Sequence, residues 1–290
     1  MRSITDLPAP AKLNLFLHVV GKRADGYHLL QSVFALIDWA DTLHVERRDD
    51  GRLARHDLGL ALPPDDLTLR AARALQAASG TTLGADLSID KRVPWGAGLG
   101  GGSSDAATAL LALNRLWGLG WPRSRLAELA ATLGADVPFF VGGRNAWVEG
   151  VGEKLTPIEF APRWWAVLKP AVAIPTVAVF TSPALAEQLV RARAPAILSD
   201  FLADPTGFGR NDLQLPAMAY SSEVGQALKL LEARFGASRM SGSGSAVFAE
   251  VGAGESPRAA MLEADELPAG WVGRMCRGLE RHPLADWAGD

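Results

Sequence analysis

Apolar and polar residues alternate strictly along "AKLNLFLHVV", residues 11–20, so that Leu13, Leu15, Leu17 and Val19 share one face and Lys12, Asn14, Phe16 and His18 the other. A period of two predicts a strand buried on one side, ended by the turn "GKRADGYH". Two further β-like runs cover 31–47 and 85–93, with a helical pattern at 66–79 between them. An alanine- and leucine-rich helix is predicted from Ser103 or Ser104 to about Trp117, capped by Ser103, Ser104 or Asp105. A second helix, "RSRLAELAATLG", stops at Gly134, where glycine suits a helix C-terminus. "GADVPFFVGG" then reads as a loop and "NAWVEGVGEKLTPI" as a hairpin.

The stretch "FAPRW", 160–164, reads as a boundary. Beyond it, "WAVLKP", "SRMSGSGSAVFAEV" and "WVGRMCRG" predict strands, while "PALAEQLVRAR" (183–193), "EVGQALKLLEARFG" and "SPRAAMLEADEL" (256–267) predict helices. Strands and helices mixed without regular alternation predict an α+β fold in both halves. The segment 194–210 has no clear period and receives no assignment.

A chain of 290 residues has room for two domains, here 1–160 and 161–290. The net charge of −3 predicts no broad nucleic-acid or membrane surface, and leaves open a local basic pocket for a phosphorylated small molecule. The lone Cys276 excludes an intramolecular disulfide and reads as a small buried hydrophobe. His18, His28, His44, His56 and His282 share no close ligand spacing, which argues against zinc. With no signal-peptide core and no run approaching a membrane span, a cytoplasmic protein is expected.

Five glycines lie between Pro94 and Ser103, and glycine is entropically costly without a reason. A glycine loop running into a helix N-terminus suits phosphate: backbone N–H groups are free, the helix dipole is favourable, and absent side chains permit close approach. The serine hydroxyls can donate to phosphate oxygens or reach a metal. No lysine follows the loop, which excludes a Walker A site. No acidic residue ends a following strand, which weakens a dinucleotide site. Elsewhere pattern alone favours plainer readings. Asp136 after a helix reads as a turn residue, Lys12 as a solvated lysine and Tyr27 as a loop residue packed on the surface, while Phe180 fits a core position equally well.

"PWGAGLGGGSSDAA" resembles the phosphate-binding loop of the GHMP small-molecule kinases, which include galactokinase and the homoserine and mevalonate kinases. "PAKLNLFLHVVGKRADGYHLLQSVF", "GADVPFFVGG" and "MSGSGSAVFAEV" resemble, in the family's order, three more segments of the branch acting on 4-diphosphocytidyl-2-C-methyl-D-erythritol. The resemblance implies a two-domain GHMP kinase fold, with an N-terminal domain like the second domain of ribosomal protein S5 and a ferredoxin-like C-terminal domain. It implies ATP and Mg2+, a small cytidyl diphosphate substrate in isoprenoid precursor synthesis, and a monomer or weak homodimer. By the same resemblance Lys12 and Asp136 are the catalytic couple. The ATP loop is Pro94, Trp95, Gly96, Ala97, Gly98, Leu99, Gly100, Gly101, Gly102, Ser103 and Ser104. Asn14, Tyr27, His28, Phe180, Gly242 and Gly244 contact substrate, with the three rings around cytosine. Asp66 departs from the asparagine usual near the adenine pocket, and no residue is assigned to the metal. Two alternatives stay open: a GHMP kinase for another alcohol, and a non-catalytic sensor on the same fold.

Overall fold

The computed structural model describes residues 1–189 and 196–290. The first half runs β1 (Ser3–Lys22), β2 (His28–Arg48), β3 (Leu53–Asp57), α1 (Leu67–Ser79), β4 (Gly84–Asp90), α2 (Gly101–Leu116), α3 (Arg123–Ala131), α4 (Val137–Gly142), β5 (Ala146–Gly150) and β6 (Lys154–Pro157). Strand β2 is long enough to serve several partners. It pairs with β1 along its length, with β4 over Thr42–Arg48 and with β5 over Leu30–Phe34. The order β3-β4-β2-β5-β6, with β1 also on β2, makes one sheet.

Helix α2 lies across one face of this sheet. Its alanines and leucines are buried all round, as expected of a helix with no water-facing side. They pack with Leu36, Leu43, Leu75, Phe139 and Phe140. The C-terminal residues return to this layer, where Leu284 and Ala288 join the same core.

The second half begins with β7 (Trp164–Lys169), so of the stretch read as a boundary 160–163 lie in the connection from β6 and Trp164 opens β7. It continues α5 (Thr176–Phe180), α6 (Pro183–Leu189), α7 (Leu198–Ala203), α8 (Gln214–Tyr220), α9 (Ser222–Phe235), β8 (Ser238–Met240), β9 (Val247–Gly252) and β10 (Val272–Arg277). The sheet order is β10-β7-β9-β8, antiparallel throughout. Trp165, Val167, Phe248 and Cys276 from this sheet pack against Leu13, Leu15, Val33 and Ile37 from the first. Strand β1 is therefore buried on both faces, and Lys12 is not a solvated lysine. Cys276 is core, and burial pushes its thiol pKa up.

Four local expectations are corrected, and one unassigned segment is filled. The strict alternation of β1 fails at a β-bulge between Asn14 and Leu17, which reverses the parity of the strand. Helix α2 starts at Gly101 behind Gly100, which adopts φ +72° with no side-chain cap, so the serines and Asp105 lie inside the helix. "GADVPFFVGG" contains α4, because Phe139, Phe140 and Val141 have a core to bury in and Pro138 suits a first turn. The run predicted helical at 256–267 holds only a 3-10 turn at Ala264–Glu266. Near its start, Arg258 is tied to β9 by its N–H on the Val251 carbonyl and its guanidinium on Glu250. Within the unassigned 194–210, α7 forms around the fully buried Phe201. Residues 190–193 of the helix predicted at 183–193, and residues 194–195, lie outside the described residues.

Candidate active site

A cavity of about 680 Å³ opens between the halves. Lys12, Asn14 and Leu17 reach it from β1, since the bulge turns Leu17 rather than Phe16 to that side. The Lys12 Nζ donates to Asn14 Oδ1 at 2.5 Å, lies 3.6 Å from Asp136 Oδ2 and sits 4.6 Å from the centre of the Phe34 ring. Burial lowers the Lys12 pKa, opposed by the charge and hydrogen bonding of Asp136. Asp136 stands just ahead of α4, its side chain 31% exposed towards the cavity that its partner lines from within.

The glycine loop lines the cavity from Pro94 to Ser103. The N–H groups of Gly101, Gly102 and Ser103 precede the first intrahelical bond of α2, from Ser104 N to Gly100 O at 3.0 Å, and so have no acceptor within the helix. Ser104 is the exception in the predicted loop. It does not line the cavity, and its hydroxyl is buried without a hydrogen-bond partner, because the earlier helix start turns it inward.

Part of the glycine content answers to the protein's own packing. Gly98 has φ +73°, and a Cβ there would meet the Ser241 carbonyl oxygen at 2.2 Å. At Gly100 a Cβ would meet the Phe140 ring at 2.9 Å and the Lys12 side chain at 3.2 Å. Gly102 is different: its Cβ would find only Leu67, at 3.9 Å. The second glycine turn, with Gly242 and Gly244 at positive φ, lines the same cavity and packs directly against the first. Ser241 ties the two together, its Oγ donating to Gly98 O at 3.0 Å and accepting from Asn14 N at 3.1 Å.

The far end of the cavity is aromatic. His28 and Phe180 stack with ring centres 5.3 Å apart, and Tyr27 stands beside them on the turn that Asp25 and Gly26 close, 64% exposed. Partial burial, then the charge of Lys22, lowers the His28 pKa, so the ring is neutral at neutral pH and can both donate and accept.

Three features escape sequence reasoning. Beneath the loop, Lys91 Nζ bridges Asp105, at 2.7 Å, and Asp41, all three buried. Asp41 also accepts from the N–H groups of Arg92 and Val93 at 2.6 and 2.7 Å, fixing the segment that leads from β4 into the loop. Burial and the Asp41 charge raise the Asp105 pKa against the pull of Lys91. Asp66 caps α1 through the N–H groups of Thr68 and Leu69, and pairs with the buried Arg55 at 2.7 Å. That ion pair gives a carboxylate there its own physical reason. Ser32, inside β2, holds the Asn14 amide. The Asp66 cap apart, each contact joins residues distant in the chain, so no short window of sequence carries it.

Residues 66–144 match the family described as the GHMP kinases N terminal domain, and residues 195–271 the one described as GHMP kinases C terminal. The 4-diphosphocytidyl-2-C-methyl-D-erythritol kinase of Methylibium petroleiphilum is 74% identical over 289 residues, 100% of this chain and 99% of that one. Its counterpart from Paracidovorax citrulli is 52% identical, again over 100% and 99% of the two chains. A crystal structure of 4-(cytidine 5'-diphospho)-2C-methyl-D-erythritol kinase aligns with a TM-score of 0.73 at 35% identity, covering 95% of this chain and 99% of its own. The homoserine kinase of Cytophaga hutchinsonii, at 14% identity over 97% and 96% of the chains and a TM-score of 0.66, shares the fold. Full-length identity at this level, on a chain that carries both GHMP halves, places it in the GHMP kinases as a member of their 4-diphosphocytidyl-2-C-methyl-D-erythritol kinase branch.

Proposed function

We propose that the chain transfers the γ-phosphoryl group of ATP to the 2-hydroxyl of 4-diphosphocytidyl-2-C-methyl-D-erythritol, a step in the non-mevalonate route to isoprenoid precursors. One observation carries the reading: a single cavity is lined by the Lys12–Asp136 pair, the N-terminus of α2 and the stacked His28 and Phe180. Phosphoryl transfer asks for positioned anions, neutralised charge and an oriented hydroxyl, and these groups offer all three.

Bound ATP supplies the transferable phosphoryl group and its Mg2+ offsets phosphate charge. The N–H groups at Gly101, Gly102 and Ser103, which have no acceptor within the helix, suit its phosphates. Among the described residues no group of three His, Cys, Asp or Glu is arranged to hold a metal, so the ion would be carried mainly by phosphates and water. Asp136 takes the proton from the substrate hydroxyl as its oxygen attacks. Lys12, held as an ammonium by Asp136 and Asn14, stabilises the negative charge that develops. Tyr27, His28 and Phe180 hold the cytosine, and Gly242 and Gly244 close on the substrate's diphosphate. Among the described residues no helix is long and apolar enough to cross a membrane. The reading takes the enzyme as cytoplasmic and as a monomer or weak homodimer.

The test is ATP turnover with the diphosphocytidyl alcohol beside homoserine and mevalonate. Phosphorylation of the cytidyl substrate alone is expected. Activity only with one of the others would sink the specific reading, and no activity with any alcohol would favour a sensor.

A further inference from the structure

The β-bulge between Asn14 and Leu17 takes Leu15 and Phe16 out of register with β2. Their carbonyls are recovered by side chains: Leu15 O accepts from the Arg239 guanidinium, and Phe16 O accepts from Ser32 Oγ at 2.5 Å. A hydroxyl has one proton to give, and a carbonyl can only accept, so the Ser32 proton is committed to Phe16. Towards its other neighbour, Asn14 Nδ2 at 2.8 Å, Ser32 Oγ can then act only as an acceptor. Only one orientation of the Asn14 amide satisfies this. Nδ2 faces Ser32, and Oδ1 is left facing Lys12 Nζ.

We infer that Ser32 is a positioning residue: by fixing the Asn14 amide it presents Oδ1 to the Lys12 ammonium and holds that ammonium beside Asp136. The role rests on the functional reading of Lys12 given above. Ser32 and Asn14 are each almost completely buried, so water is a poor substitute for either partner. Among the described residues the groups facing Lys12 are few. Asp136 is the charged one, from ahead of α4, while Asn14 comes from β1, Phe34 from β2, and the Gly100 backbone packs on the side-chain stem. Turning the amide round would set Nδ2 against the ammonium, donor against donor, and leave Asp136 as its only acceptor. Burial already disfavours the charged form of this lysine. Losing Oδ1 disfavours it further and loosens its aim.

The experiment compares wild type, Ser32→Ala and Ser32→Thr. In Ser32→Ala, kcat should fall about tenfold, the worth of one hydrogen bond to a charged group. KM for ATP should stay within about twofold, since the loop has its own supports. The alkaline limb of the kcat profile should move to lower pH, because the ammonium is lost earlier. Ser32→Thr, which keeps the hydroxyl, should restore the limb. Titration of Lys12 by NMR in protein carrying ε-13C lysine reads the same shift without turnover. That reading survives even if the enzyme prefers another alcohol or none. An unmoved Lys12 titration in Ser32→Ala overturns the inference. So does a loss of activity that tracks the thermal midpoint while the pH limb stays in place.

Discussion

Lys12 and Asp136 face each other at 3.6 Å, the lysine side chain 4% exposed and the aspartate 31%. The difference matters more than the distance. Burial weakens the lysine's hold on its proton, and the neighbouring carboxylate restores part of it. The carboxylate itself stays open to the cavity, where a hydroxyl can reach it. On the proposed mechanism one partner keeps a positive charge in place and the other accepts a proton.

Replacing Asp136 by Asn keeps the shape and removes both basicity and charge. We expect kcat to fall by roughly 10²–10⁴, the usual worth of a general base, with KM for ATP changed little. Steady-state kinetics decides it. A kcat within about threefold of wild type would return Asp136 to the role of a turn residue.

The glycine loop needs a variant that separates ligand approach from packing. Gly100→Val is a poor choice, because its Cβ would press on Phe140 and Lys12 at a backbone that disfavours side chains. Both stability and kcat should drop. Gly102→Val meets only Leu67 within the protein while standing on the cavity wall. ATP affinity should fall at least about tenfold there, with the thermal midpoint preserved, since a side chain would occupy the space that phosphate binding at a helix N-terminus requires. Calorimetry showing unchanged ATP affinity in Gly102→Val would contradict a phosphate role for this turn.

At the aromatic end, Tyr27→Ala should raise KM for the cytidyl substrate about 5- to 150-fold, corresponding to roughly 1–3 kcal/mol per stacked face. KM for ATP should not follow. The His28 pKa is lowered from 6.5, so the ring is neutral above that value and gains a proton only below it. Substrate KM should therefore rise only in acid, as pH falls through the lowered His28 pKa, while His28→Ala shows a higher KM without that rise. If the KM values for ATP and substrate climb together in Tyr27→Ala, the turn supports the fold and not the base.

His282 carries a different pH dependence, one of stability. It is 1% exposed, its Nδ1 accepts from Leu284 N at 3.0 Å, and burial, then the charge of Arg123, lowers its pKa from 6.5 to about 4. A depressed folded-state value means that neutral His282 stabilises fully above pH 6.5, and that this contribution is lost as pH falls towards 4. The drop amounts to about 3 kcal/mol at 1.36 kcal/mol per unit. Urea denaturation at pH 7 and pH 4.5 should show a smaller decline in His282→Asn, which keeps an acceptor near Nδ1, than in wild type. Equal declines would assign the acid sensitivity elsewhere.

Much of this site was legible in short windows. Alternation marked β1 and placed Lys12 and Asn14 two residues apart on one side, and both line the cavity. Glycine content marked the loop ahead of α2 and the second turn, because positive φ and close approach are demands that composition records directly. Asp25-Gly26 marked the turn that carries Tyr27 and His28. The order of these segments along the chain was enough to point to the GHMP kinases.

Other features depend on what packs against what. The parity of β1 after Asn14 turned on a bulge, an extra residue that no alternation pattern reveals when both faces are apolar. Helix α4 formed in a predicted loop because a core received its phenylalanines, and the expected helix at 256–267 failed where Arg258 is tied to β9 instead. The reach of Ser241 to both Asn14 and Gly98, and the stack of His28 on Phe180, join residues distant in the chain. Sequence alone determined which short segments could hold phosphate, proton and base, because glycine content, alternation and turn chemistry are local. Tertiary structure decided how they face one another, because burial, hydrogen-bond pairing and charge compensation exist only between surfaces that folding has brought together.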